Sequence, residues 1–224
     1  MTQRVRHAVF DLDGTLVDSA PAITEILNAM LTDRGLEGNL SCDTVRPFVT
    51  AGGRAMVEGL VGDAWGDAET TLAEFRARYA ETVTPRESLY PGAEAAIAEL
   101  SRRGLVLAVF SNKPQHLCEK VLGDIGVANR FASIVGSGPG IPHKPDPTGL
   151  RLALSRSGGA PDRACYVGDT ALDQETARRC GMPIVMVAWG YGEPDRHAPP
   201  PPLARRFDET PDLVCLELER AIAG

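Results

Sequence analysis

Short apolar runs recur along the chain, with room for a helix between most neighbouring pairs. Residues 7–12, 105–110, 132–135, 165–167 and 184–188 have the length and composition of buried strands. Leu117, Val121, Leu122 and Ile125 share one face at helical spacing, and Ala93, Ala96, Ile97 and Leu100 share another. Strands that alternate with helices predict a parallel sheet covered on both faces. Ligands of such sheets sit beyond the carboxyl ends of the strands.

Residues 17–89 break this rhythm. Ile23, Ile26, Leu27, Met30 and Leu31 predict an amphipathic helix, with Pro21 near its start and Gly35 near its end. Leu72, Phe75 and Tyr79 predict a second helix, and Val57, Leu60 and Val61 a shorter one. No strand pattern is present. A helical insertion directly after the first strand reads as a lid, and Leu89-Tyr90-Pro91-Gly92 marks the return to the sheet. The predicted division is a core of residues 1–16 and 90–224 and a helical cap of residues 17–89. Near the end, the four prolines 199–202 form a stiff polyproline-type segment, which is also the form of an SH3-type ligand. A short strand near 206–207 and a helix over 211–223 are expected to close the core.

Bulk properties narrow the function. The 224 residues suffice for one large or two small domains, and 43% hydrophobic with 24% charged residues is ordinary for a soluble protein. A net charge of −7 argues against a basic nucleic-acid-binding face. No apolar run has transmembrane length, and residues 1–7 lead straight into the first strand without a signal-peptide pattern. Cys42, Cys118, Cys165, Cys180 and Cys215 are odd in number, scattered and without C-x-x-C spacing, which predicts reduced thiols in a cytoplasmic protein.

The densest chemistry is Asp11-Leu12-Asp13-Gly14-Thr15-Leu16, at the end of the first predicted strand. Carboxylates at i and i+2 project toward the same side. Burying two anions together is costly unless a cation joins them, and a hard divalent cation such as Mg2+ suits oxygen ligands and substrate phosphate. One carboxylate can then attack phosphorus while the other handles the proton. Three further clusters follow their own predicted strands. Ser111-Asn112-Lys113 offers a hydroxyl and an amide for phosphate oxygens. Lys144-Pro145-Asp146-Pro147 holds a lysine out of helical geometry. Gly168-Asp169-Thr170-Ala171-Leu172-Asp173 places two carboxylates four residues apart at the start of a helix, where they can cap the helix, join a metal site, or both.

These four clusters, in this order, resemble the DxDGT, Ser/Thr, KPxP and GDxxxD motifs of the haloacid dehalogenase-like hydrolase superfamily, and the resemblance covers essentially the whole chain. It implies a Rossmann-like core with an inserted helical cap. It further implies Asp11 as nucleophile, Asp13 as general acid and base, and Lys144, Ser111 and Asn112 as holders of the transferring phosphoryl group. Mg2+ would be held by Asp11, the backbone carbonyl of Asp13 and Asp169, with Asp173 in support. The stretches 167–170, 177–181 and 189–192 resemble the phosphoglycolate phosphatase branch. So does Arg46-Pro47-Phe48-Val49-Thr50-Ala51-Gly52-Gly53, which is similar to that branch's R-x-x-V-G-x-G loop, with Thr50 in place of the first glycine. Arg46 and Gly52 are thereby candidate substrate contacts. Arg46 and Arg54 are cap cations that either meet a substrate carboxylate or lie solvated.

The resemblance implies a Mg2+-dependent phosphatase of a small phosphorylated metabolite, 2-phosphoglycolate first, with no nucleic-acid or membrane partner and with monomer and dimer both open. A phosphosugar phosphatase or a β-phosphoglucomutase-like transferase would share the core. A dehalogenase would need neither Asp13 nor the Asp169/Asp173 pair, and a silent binding module would not need the intact acids and lysine.

Overall fold

Ala8, Val9 and Phe10 are apolar on both faces of the strand Arg6–Phe10 (β1), and all three are fully buried. The computed structural model, which describes residues 5–50, 52–61 and 65–223, places β1 inside a six-stranded parallel sheet. Residues 1–4 and Ala51, both used in the sequence reading, lie outside the described residues. The other strands are Leu105–Pro114 (β2), Ser133–Ser137 (β3), Ala164–Gly168 (β4), Ile184–Val187 (β5) and Leu203–Ala204 (β6). Their order is β3-β2-β1-β4-β5-β6, so the chain builds outward on one side of β1 and then on the other. Phe10 pairs in register with Val109 of β2 and with Val167 of β4. The residues that follow these three strands therefore emerge together at one edge, at the point where the strand order reverses.

Helices cover both faces. Ala93–Arg102 (α5), Gln115–Ile125 (α6) and Thr210–Ala223 (α9) lie on the face that buries Ala8, Phe10, Val109 and Val167. Thr148–Arg156 (α7) and Ala171–Cys180 (α8) cover the face that buries Val9, Phe110 and Tyr166. Strand β2 runs four residues past the predicted end at Phe110 and carries Ser111, Asn112 and Lys113 within it, with a register shift against β3 over that stretch.

Between β1 and α5 the described residues form four α-helices: Ala20–Asp33 (α1), Cys42–Val49 (α2), Gly53–Val61 (α3) and Ala68–Glu81 (α4). Leu27, Met30, Val45, Met56, Phe75 and Tyr79 bury their side chains among them. The segments that enter and leave this insertion are tied to each other. Val17 bridges Leu89 antiparallel, Asp18 N–H donates to Ser88 (2.8 Å), and Tyr90 N–H donates to Leu16 (3.0 Å).

Two local expectations change. The stretch from Arg46 to Val49, read as part of a loop, lies in α2. Ser41 caps that helix by accepting from Thr44 N–H, and Pro47 inside it forfeits one helical hydrogen bond, which hides the helix from a propensity reading. The strand expected near 206–207 is instead β6, whose two residues pair with Met186 and Val187. Phe207 is drawn out of the sheet because its ring packs on Trp189, with centroids 4.5 Å apart. The polyproline run leads into β6, where the carbonyl of Pro202 accepts from Met186 N–H (2.8 Å).

The first turn of α7 lies so close to the end of β2 that only glycine fits there. A Cβ on Gly149 would stand 2.1 Å from the ring of Phe110, which is 1% exposed and has no room to retreat. Gly149→Ala is expected to destabilise the fold by about 2 kcal/mol, measured as a lower Tm and denaturation midpoint than wild type.

Candidate active site

Asp11 continues β1 by donating its N–H to the carbonyl of Val167 (2.9 Å), so its side chain starts from a fixed point of the sheet. Gly14 then turns the chain with φ of +83°, and no larger residue fits. A Cβ there would lie 2.5 Å from Asp169 Oδ2 and 3.0 Å from the ring of Tyr191. Gly190 is excluded from change in the same way, since its Cβ would fall 2.2 Å from that of Asp169. Asp169 is thus clamped between two glycines from opposite ends of the chain. The Thr15 hydroxyl donates to its Oδ1 (2.9 Å), and Tyr191 N–H donates to its Oδ2 (2.7 Å).

Lys144 lies at the centre. Its ammonium is 2.7 Å from Asp11 Oδ1 and 2.7 Å from Asp173 Oδ1, and its side chain is 3% exposed. The rings of Phe110 and Tyr166 face it at 5.4 and 5.5 Å. Asn112 fixes the approach of this loop, its Oδ1 accepting from Lys144 N–H (2.8 Å). Burial alone would pull the ammonium's pKa down, but Asp11 and Asp173 outweigh it and hold the pKa above the ordinary lysine value.

Asp173 has both oxygens engaged. Oδ1 meets Lys144 and the Tyr166 hydroxyl (3.1 Å); Oδ2 accepts from the N–H groups of Asp169 and Thr170 and from the Thr170 hydroxyl (2.6 Å). It closes a capping box with Thr170 at the start of α8 while it anchors Lys144. Helix capping and a place in the charged cluster coexist in this one residue.

Asp13 occupies a separate pocket of charge. Lys113 is 3.1 Å from its Oδ1, with the ring of Tyr79 from α4 packed 4.4 Å below the ammonium. The contact is an ion pair off the hydrogen-bond direction, so that buried oxygen has no directed donor. Ser111, buried beside them, accepts from Lys113 N–H (3.2 Å).

Four carboxylates, Asp11, Asp13, Asp169 and Asp173, meet two ammonium groups, Lys113 and Lys144. Burial pushes the Asp11 carboxyl well above its usual range, Lys144 opposes this, and Asp173 and Asp169 add to it. Asp169 is pushed up to about 7, by burial first and by Asp173 next. Oxygen atoms of Asp11, Asp169 and Asp173 come within 4.8 Å of one another. With all four carboxylates ionised the cluster carries two negative charges in excess, which a single divalent cation fits among these hard oxygen donors.

The remaining candidates lie farther out. Arg46 spends its guanidinium on Asp43 (2.9 Å) and Asp18 (3.4 Å), which ties α2 to the segment leaving the core. Arg54 pairs with Glu58 on the surface. Gly52 has φ of +93°, and a Cβ there would stand 3.6 Å from the imidazole of His143. Thr15, Lys113, Tyr166 and Tyr191 carry no role in the sequence reading, yet all four touch the site. For Lys113 a signal existed: it stands two residues after Ser111 in an extended segment and so shares its side of the strand.

Comparison with known proteins agrees with this geometry. The family model described as haloacid dehalogenase-like hydrolase matches residues 8–187. A phosphoglycolate phosphatase of Xanthomonas campestris is 38% identical over 189 residues, covering 83% of this chain and 84% of that protein. An N-acetylmuramic acid 6-phosphate phosphatase of Pseudomonas aeruginosa is 34% identical over 194 residues, covering 86% and 85%. Among solved structures, a haloacid dehalogenase-like family hydrolase of Streptococcus pneumoniae superposes with a TM-score of 0.76 at 23% identity over 92% of this chain and 96% of that one, a likeness of fold. The order of the strands, the four acid- and lysine-bearing strand ends and these matches agree: the chain belongs to the haloacid dehalogenase-like hydrolases, in their phosphoglycolate phosphatase-like branch.

Proposed function

We propose that the protein is a Mg2+-dependent phosphatase that hydrolyses a small phosphate monoester, 2-phosphoglycolate, through an aspartyl-phosphate. The observation that carries the reading is the separation of two aspartates only two residues apart into different surroundings. Asp11 is held by Lys144 within the acidic cluster, and Asp13 lies beside Lys113 with an oxygen free of directed donors. One environment suits a nucleophile with a fixed line of attack, and the other a carboxyl that gives and takes a proton.

In the first step an Asp11 oxygen bonds to phosphorus as the ester oxygen leaves with the proton of Asp13. In the second, Asp13 takes a proton from water as that water attacks phosphorus and frees Asp11. Lys144, pinned by Asp173, presents a fixed positive charge to the phosphoryl oxygens, with Ser111 and the Asn112 amide beside it. Asp11, Asp169 and the backbone carbonyl of Asp13 would hold Mg2+, which when bound neutralises charge on the transferring group. Asp173 acts through Lys144. The helices of residues 17–89 would serve as a cap that excludes water from the site. The substrate assignment draws support from the relatives named as phosphoglycolate phosphatases.

Three outcomes are expected. EDTA should abolish hydrolysis of p-nitrophenyl phosphate and Mg2+ should restore it, while Ca2+, which prefers more ligands, should not. Asp169→Asn should raise the Mg2+ concentration for half-activity at least about 10-fold. Full turnover in metal-free buffer would overturn the metal assignment.

With a good leaving group, Asp13→Asn should accumulate one added phosphoryl group, seen by intact mass after rapid quench, because water attack then lacks its base. Asp11→Asn should show none. A phosphorylated Asp11→Asn protein would mean that another residue is the nucleophile.

Asp173→Asn removes the charge that anchors Lys144 and weakens the cap of α8. It should lower kcat about 100-fold and destabilise the fold by about 1–3 kcal/mol. Unchanged kcat with a lowered Tm would leave Asp173 a capping residue alone.

A further inference from the structure

Between the helical insertion and the sheet lies a cavity of about 50 Å³. Asn112 and Lys113, at the end of β2, form one wall, and Lys113 is the residue whose ammonium stands beside Asp13. Under the proposed mechanism Asp13 protonates the departing oxygen, so the alcohol half of the substrate must lie next to this wall. Most of the remaining lining is apolar, including Met56, Leu72, Phe75 and Leu117. Gly52 and Gly53 form another side; a Cβ on Gly53 would already press on Leu72 at 2.8 Å.

One further charge lines the space: Arg76, half-buried on α4. The other five arginines of residues 17–89 each face a carboxylate. Arg34 and Arg78 meet Glu74, Arg46 meets Asp18, Arg54 meets Glu58 and Arg86 meets Glu94. Among the described residues, Arg76 has neither an ion pair nor a side-chain hydrogen bond. The Arg76 guanidinium, half-buried and unpaired among the described residues, is available to an anionic ligand that enters the space. Burial and, after it, the charge of Arg76 hold the His143 imidazole below its ordinary pKa, which places the positive field of Arg76 on the side where Gly52 meets His143.

We infer that Arg76 selects the alcohol half of the substrate by pairing with a second anionic group, a carboxylate, carried one or two carbons from the ester oxygen. This deepens the phosphatase reading and rests on it. Arg46, the cation expected from the sequence to do this, is occupied by two aspartates. A guanidinium matches a carboxylate through two parallel N–H donors, which a neutral hydroxyl cannot use. The lining sets the chemistry: one guanidinium among apolar side chains suits a short acid better than a polyhydroxylated sugar ring.

The test compares two esters of equal length, 2-phosphoglycolate and 2-hydroxyethyl phosphate, on wild type, Arg76→Ala and Arg76→Lys. Wild type should prefer the acid. Arg76→Ala should lose roughly 10- to 100-fold in kcat/KM on the acid and less than about 2-fold on the neutral ester, and Arg76→Lys should recover part of the loss. Equal losses on both esters, or no loss on the acid, would overturn the role of Arg76 while leaving the phosphatase standing. A wild type that cleaves the neutral ester as well as the acid would overturn both the carboxylate subsite and the substrate assignment. A wild type that cleaves neither ester nor p-nitrophenyl phosphate with Mg2+ present would overturn the phosphatase reading itself, and the subsite with it.

Discussion

Everything at the site depends on one buried ammonium. Lys144 lies between Asp11 and Asp173, largely buried, and offsets the cost of burying both acids. Removing a charge of either sign would strand the others in a medium that solvates them poorly. The charges are therefore interdependent, and their geometry constrains what surrounds them. The loop before Lys144 is tied to Asn112, the start of α8 is built on Asp173, and Tyr166 spends its hydroxyl inside the sheet on the same carboxylate. The requirement to hold these charges explains why polar residues end strands that are otherwise apolar throughout.

The sheet supplies the rigidity this arrangement needs. Because β1 is flanked by β2 and β4 in matched register, four polar strand ends converge without any one loop having to be long. The helical insertion is joined to this frame by two short antiparallel segments, and Asp18 links them to Tyr191, whose backbone N–H also holds Asp169. The connecting segments and the acidic cluster thus share a tyrosine, Tyr191, which ties the entry to the insertion to the position of Asp169.

Much of this was legible in the residues. Strands buried on both faces announce themselves as unbroken apolar runs, and an acid or lysine just past such a run has few places to go except the edge of the sheet. That is why Asp11, Asp13, Lys144 and Asp169 stood out. What stayed hidden has a physical reason in each case. Pro47 masks α2, and a two-residue strand such as β6 has no periodicity to detect. Thr15 and Tyr191 owe their roles to Asp169, which Thr15 reaches only across 154 residues of chain. Arg76 sits in a helix rich in Arg and Glu that reads as a solvated face; only the map of ion pairs separates it from Arg78, which shares its helix and is paired.

The central position of β1 has a consequence during synthesis. The strand is made before its neighbours β2 and β4, which come about a hundred and more than a hundred and fifty residues later. Until then a strand with the apolar run Ala8-Val9-Phe10 waits on the emerging chain with both edges open, the situation in which strands pair with the wrong partner. The helical insertion is translated next and contributes Leu27, Met30 and Phe75 to the same apolar cluster as Phe10. It can shelter one face of the waiting strand before any residue of the charged cluster but Asp11 and Asp13 exists. Its location directly after β1, rather than at some later loop, gives the nascent chain an early apolar surface against which to bury Phe10.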